Sequence, residues 1–331
     1  MFERVLEFLQ CCTVSSVERF KMQNEWFYKM YGLLVKSAYH FPESVSVDSM
    51  KFDVEISLGT IPESTKSKVD ESGIVHLDEQ RCLIKINGVA FFLVQNGDRI
   101  VVDELGGKDT ETKASVRLYL LGPILNLLLN QRSTLLFHSC CIGYRGKCFI
   151  VAAECGTGKS TLAATFIKRD GLCLLSDDVS LVFFSSEGKP FVQPSLPRIK
   201  LLPDALECLK ISSGGLERLP VENDKYSFLT HSEYHCMPME LKNIFILEDA
   251  AADDSMKIRL LNGKVKLSKI LKHSYWNDDR FSIGHRDVDF IQAAKVARQC
   301  KTFLVSFSKQ KHSPDYIVEH IINLLSNQLF K

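Results

Sequence analysis

The chain lacks a CxxC pair, an excess of either charge and any apolar run long enough to cross a bilayer. Its eleven cysteines are an odd number at irregular spacing, and Cys11-Cys12 and Cys140-Cys141 are adjacent pairs that cannot easily bridge within themselves. A disulfide framework and a zinc site are therefore not expected, and the thiols read as reduced, small apolar residues of a cytoplasmic protein. The formal net charge is +1 with the signs interspersed. No basic cluster follows a phosphate backbone, so nucleic acid is not an expected partner. The longest apolar run, Leu118 to Leu129, is too short for a span and contains Pro123 and Asn126. Met1 to Leu9 is interrupted by charge, which argues against a signal peptide and for an amphipathic helix. No membrane association is expected, and repeats and low-complexity segments are lacking too.

What is present suits a soluble globular chain: 331 residues, 45% apolar and 24% charged, enough for one large core or two smaller ones. Three parts are expected: an N-terminal helical segment (1–30), a β-rich module with a closing helix (31–132), and a catalytic domain (133–331). Short runs such as Phe52 to Ile56, Cys82 to Ile86 and Ala90 to Val94, separated by Asn87-Gly88 and Asn96-Gly97-Asp98, define the β-rich module. Thr112 to Asn130 reads as its closing helix, bent at Pro123. Strands are expected at 134–137, 148–152, 172–175, 180–184 and 244–247, and an amphipathic helix at 313–330.

The most informative stretch follows the run Cys148 to Ala152. It is Ala153-Glu154-Cys155-Gly156-Thr157-Gly158-Lys159-Ser160-Thr161, which opens onto the helix-like Leu162 to Ile167. A strand, a glycine-bearing loop ending in Gly-Lys-Ser and a helix form the context of a phosphate-cradling P-loop. Loop N–H groups and the helix N-terminus converge on one anion. Lys159 would reach the terminal phosphates of ATP and Ser160 would hold Mg²⁺. Ala153 stands where the consensus has its first glycine.

Asp177 and Asp178 end an apolar strand, 17 and 18 residues after Ser160. One crossover returns that strand beside the phosphate site. If the strand ran on through both residues they would point to opposite faces, one toward Mg²⁺ and the other toward an incoming hydroxyl. The bland alternative is a turn-forming or helix-capping Asp pair. His138, placed near the end of a strand that pairs with the P-loop strand, is either structural or catalytic. Arg198 and Lys200, bracketed by Pro197 and Pro203, suit an anion contact on the phosphate or substrate, against an ordinary surface strand. Lys225, His273, Arg280 and Arg298 are cations without an assigned place.

Together, His138, the 153–161 loop, Ser176-Asp177-Asp178 and Pro197-Arg198-Ile199-Lys200 resemble the catalytic domain of the HPr kinase/phosphorylase family. The resemblance runs on through Lys225-Tyr226, Ile244 to Glu248 and His273-Ser274-Tyr275, covering roughly 133–331. It implies an α/β fold: a P-loop kinase core of the HPr kinase/phosphoenolpyruvate carboxykinase type, a mixed sheet flanked by helices. By position, His138 and Asp178 match the residues acting on the attacking hydroxyl, and Asp177 with Ser160 matches the metal side. The opening Tyr31-Gly32-Leu33 and the helix with Leu120-Leu121-Gly122 are similar to a subgroup of peptide gene clusters. It includes lasso-peptide precursor kinases, which phosphorylate a serine hydroxyl. Thr161, where the bifunctional members typically have Glu, and the lack of their glycine-containing signature after the Asp pair argue against phosphorolysis and against HPr as substrate.

The expected function is therefore ATP- and Mg-dependent transfer to a serine hydroxyl of a peptide or protein. The alternatives are a P-loop ATPase driving a partner, a silent nucleotide-binding adaptor, and a small-molecule kinase. The β-rich module is expected to recognise substrate or to organise subunits, a homo-oligomer being one outcome.

Overall fold

The computed structural model describes residues 25–106, 110–219, 224–250, 255–274 and 286–328. Most of the expected N-terminal helix, and Arg280, lie outside the described residues. Where the helical expectation reaches described residues it is overturned, because Trp26–Met30 is a strand, β1. Its burial alternates from Tyr28 to Met30, and a turn at Tyr31 and Gly32 (φ +53° and +76°) folds it back onto β2 (Leu33–Ser37). That pairing, absent from any local pattern, outweighs the helical periodicity.

The module continues with β3 (Val45–Ser46), β4 (Val54–Leu58), β5 (Ile74–Asp78), β6 (Arg81–Ile86), β7 (Ala90–Gln95) and β8 (Arg99–Glu104). These eight strands form one mixed sheet in the order β3-β1-β2-β4-β8-β7-β6-β5. The closing helix spans Thr110–Tyr119 and Leu125–Gln131, joined by a π-type turn over Leu120–Ile124. The expected bend is there: Pro123 offers no N–H to the ladder, and Gly122 leaves helical geometry at φ −127° and ψ −112°.

The second sheet contains β9 (Leu135–Tyr144), β10 (Lys147–Ala153), β11 (Leu172–Ser176), β12 (Val179–Phe184) and β13 (Pro190–Gln193). A small third sheet is made of β14 (Arg198–Leu201), β15 (Glu217–Arg218) and β16 (Tyr226–Leu229). The second sheet is completed by β17 (Met239–Asp249), β18 (Lys257–Leu261) and β19 (Lys301–Phe307), its path running β10-β9-β12-β13-β17-β19-β18 with β11 on β9. A further parallel pairing of β10 with β17 closes β10, β9, β12, β13 and β17 into a ring. The architecture is α/β with mixed sheets.

Helix Lys159–Ile167 packs Leu162, Ala163, Phe166 and Ile167 against Phe149, Phe245 and Phe303, with Phe149 edge-on to Phe166 at 5.2 Å. Burial of each large side chain contributes about 1.5–3 kcal/mol, which anchors the loop before the helix. Helix Pro314–Gln328 buries Ile317, Ile321 and Leu325 on the same core, as the apolar periodicity of the tail requires.

The largest apolar core of the module extends into the rest of the chain. Leu136, Val179, Leu181 and Leu196 of the catalytic domain belong to the same apolar cluster as Tyr28, Phe41, Phe92 and Leu120 of the module. No helix among the described residues is long and apolar enough to cross a membrane.

Candidate functional site

The loop after β10 owes its shape to two glycines. Gly156 and Gly158 have φ +77° and +103°, and a Cβ on either would meet nothing within 4 Å. Backbone conformation, not space, therefore requires glycine there. Ala153 is still in register with Leu247 on β17 as the last residue of its strand, so alanine fits where the consensus has glycine. Cys155 is exposed on the loop and Glu154 pairs with Lys272 at 2.7 Å. Thr157 is buried, and its N–H donates to the Glu154 carbonyl at 3.3 Å. Lys159 is buried, its Nζ donating to the carbonyls of Ala153 (2.7 Å) and Glu154 (3.2 Å). Burial lowers its pKa. Thr161 is the third residue of the helix, where its carbonyl accepts from the Thr165 hydroxyl.

The Asp pair sits at a break between two strands. β11 and β12 run consecutively along the edge of β9, with Ser176 opposite Cys141 and Val179 opposite His138. Asp177 and Asp178 lie between them, facing Cys140 and Ser139 without a change of register; the Asp178 carbonyl accepts the Ser139 N–H at 3.1 Å, and Asp178 adopts φ +72°. Buried hydroxyls pin both flanks: Ser180 Oγ lies 2.7 Å from Ser176 Oγ and accepts from Ser139 Oγ at 2.8 Å. Left-handed strain of this kind in a non-glycine residue costs about 1–3 kcal/mol and gathers at functional sites. The expected opposite-facing alternation is thus replaced by a local break, left-handed at Asp178, that presents the two carboxylates to different partners.

Ser160 Oγ donates to the two Asp177 oxygens at 3.2 and 3.3 Å, and the N–H of Lys200 donates to Asp177 at 3.1 Å. Asp177 is 8% exposed; burial and then the charge of Asp178 push its pKa up to about 6. The Asp178 side chain is 36% exposed, 3.2 Å from Lys200 Nζ and 3.8 Å from His138 Nε2. Partial burial pushes its carboxyl up, but Lys200, His138 and Lys225 outweigh it and hold it well below the usual carboxylate range. His138 lies in the middle of β9, not near its end, because that strand runs ten residues. Burial and Lys159 lower its pKa against the pull of Asp178, so its imidazole is neutral near pH 7.

Hard oxygen donors, Ser160 Oγ and the Asp177 carboxylate, already lie together and suit Mg²⁺, which takes few protein ligands and completes its shell with phosphate and water. The left-handed loop and Lys159 suit the phosphates of ATP. Arg198 and Lys200 are not on a surface strand: all four residues of β14 are buried. Lys200 serves the Asp pair, while Arg198 Nη1 pairs with Glu43 of the module at 3.0 Å. Glu43 also meets Arg117 Nε at 3.3 Å.

Of the unassigned cations, Lys225 acts on Asp178 and His138 through space, and Arg298 is exposed. His273 is buried, its carbonyl accepting from the N–H of His138 at 3.0 Å. Burial lowers its pKa to about 4. Sequence reasoning missed Glu43, Lys272 and Lys309, which donates to the Gly156 carbonyl. Each comes from a distant segment, and a lone acid or lysine carries no local signal.

No protein-family model matches the sequence, and no curated protein matches it. Among solved structures, the Hpr(Ser) kinase/phosphatase from Coxiella burnetii aligns with 59% of this chain and 99% of its own, at 10% identity and a TM-score of 0.34. At that level the likeness decides nothing, and the chemistry rests on the residues themselves.

Proposed function

We propose that this chain transfers the γ-phosphoryl group of ATP to a serine hydroxyl of a peptide or protein. One observation carries the reading. A P-loop serine contacts one carboxylate of a strained Asp pair, while the other carboxylate, partly exposed, lies between a lysine and a neutral histidine. The nucleotide phosphates lie on the 154–161 loop, with Lys159 withdrawn from the loop carbonyls to meet them. Mg²⁺ supplies charge neutralisation of the β- and γ-phosphates when held by Ser160 and Asp177.

Asp178 orients the acceptor O–H in line. The serine oxygen bonds to the γ-phosphorus, the bond to the β–γ bridging oxygen breaks, and its electron pair leaves on ADP. The acceptor proton passes to Asp178. Lys200 makes Asp178 a weak base at rest, which suits a loose transition state in which the proton leaves late. His138 steadies Asp178 and the transferring group.

The narrower acceptor class, a ribosomal precursor peptide, is supported only by the likeness of the module to the peptide-cluster subgroup. Neighbouring genes test it: a precursor-peptide gene favours it, and a sugar-transport setting favours HPr. The transfer itself is tested with γ-labelled ATP and serine peptides. Label in peptide is the expected result; release of phosphate alone points to an ATPase, and binding without turnover to an adaptor.

A further inference from the structure

On the side of Asp178 and Asp177 where Lys200 and Arg198 stand, the wall of the site is built by the N-terminal module. Tyr31 and Gly122 of the module line a crevice with Asp177, Asp178, Leu196 and Lys200 of the catalytic domain. Three contacts fix the module there. The Tyr31 N–H donates to the Pro194 carbonyl at 3.0 Å. Glu43 holds the buried Arg198. The apolar core beneath is shared between the two parts. Tyr31 is buried at the tip of a hairpin that its own left-handed φ allows to turn. Burial and then the charge of Asp178 raise its phenol above the ordinary range, so it remains neutral.

The open space in this crevice is about 10 Å³, the room of one water molecule. One water is also the size of one hydroxyl. A –CH₂OH group reaching Asp178 would fill it, whereas a hydroxyl carrying an additional methyl on the same carbon would collide with the wall.

We infer that the module forms the acceptor subsite and that Tyr31 sets its size limit, admitting a primary hydroxyl such as serine and excluding threonine. This rests on the proposed phosphoryl transfer and specifies its acceptor. A single methyl group discriminates by roughly 10- to 200-fold when a pocket is built to its size.

The test uses the full-length chain, γ-labelled ATP and two degenerate peptide libraries that differ only in a fixed central serine or threonine. The expected wild-type result is labelling of the serine library at least about 10-fold over the threonine library. Tyr31→Ala brings that ratio toward one without changing the affinity for ATP. Tyr31→Phe keeps the wild-type ratio, because shape sets the limit. Leu196→Ala enlarges the same crevice from the catalytic domain and gives the same shift if Tyr31→Ala does not fold. Equal labelling of both libraries by the wild type, or an unchanged ratio in both enlarging variants, overturns the inference and leaves phosphoryl transfer standing. A wild-type chain that binds ATP and labels neither library removes both readings at once.

Discussion

The two sides of the Asp pair are built in different ways. The side proposed for the nucleotide is one continuous stretch, from Ala153 to Thr161, shaped by two left-handed glycines and anchored by the helix behind it. The side proposed for the acceptor is assembled from separate segments: the Tyr31 hairpin, Glu43, the Gly122 turn and β14. A contiguous side is set by local backbone chemistry. An assembled side depends on ion pairs and packing between parts far apart in the sequence, so the two should fail differently when disturbed.

The largest effect belongs where the two sides meet. Asp178→Asn lowers turnover about 10³-fold, the middle of the range for losing a proton acceptor, while ATP affinity measured by calorimetry stays close to wild type. Loss of ATP affinity to the same degree would place Asp178 on the nucleotide side and break the comparison. Next is Glu43→Ala, which strands the buried Arg198 and destabilises the chain by about 3–4 kcal/mol in urea unfolding. A change under about 0.5 kcal/mol would mean that the module is only loosely attached.

A smaller effect follows from His273, behind the nucleotide side. Its pKa is about 4 when folded, against about 6.5 for an unfolded histidine. The unfolded chain therefore binds the additional proton as pH falls through 6.5, and stability drops until the folded histidine also protonates near 4. The loss reaches about 3 kcal/mol over that window and none of it is present above pH 7. Thermal melts at pH 7, 6, 5 and 4 should show this slope, and His273→Phe should flatten it. The smallest effect is that of Gly158→Ala, about 1–2 kcal/mol for a left-handed position. It is read by the same urea titration, and no loss would show that the loop can turn without its glycine.

This division also explains what the sequence disclosed. The glycine loop between β10 and its helix, and the C-terminal helix, were readable because each depends on neighbours along the chain. The left-handed turn at Asp178 was not readable, since it is held by pairing on both flanks with β9, some forty residues earlier. Arg198 reads as a phosphate contact in isolation, but a glutamate in another part of the chain claims it. The strand at Trp26–Met30 was mistaken for helix for a related reason: its partner lies across a turn that Tyr31, not glycine, begins.

The pair of Glu43 and Arg198 joins residues 155 apart, and this has a consequence for how the chain is made. At about 5–20 residues per second of synthesis, Glu43 waits on the order of ten seconds before its arginine is translated. Until then the hairpin tip has no wall to complete. The glycine loop waits longer still, because its strand pairs with β17 and its helix packs on Phe245 and Phe303, all made after β14. The two sides proposed for the site are therefore completed only near the end of synthesis, the assembled one first.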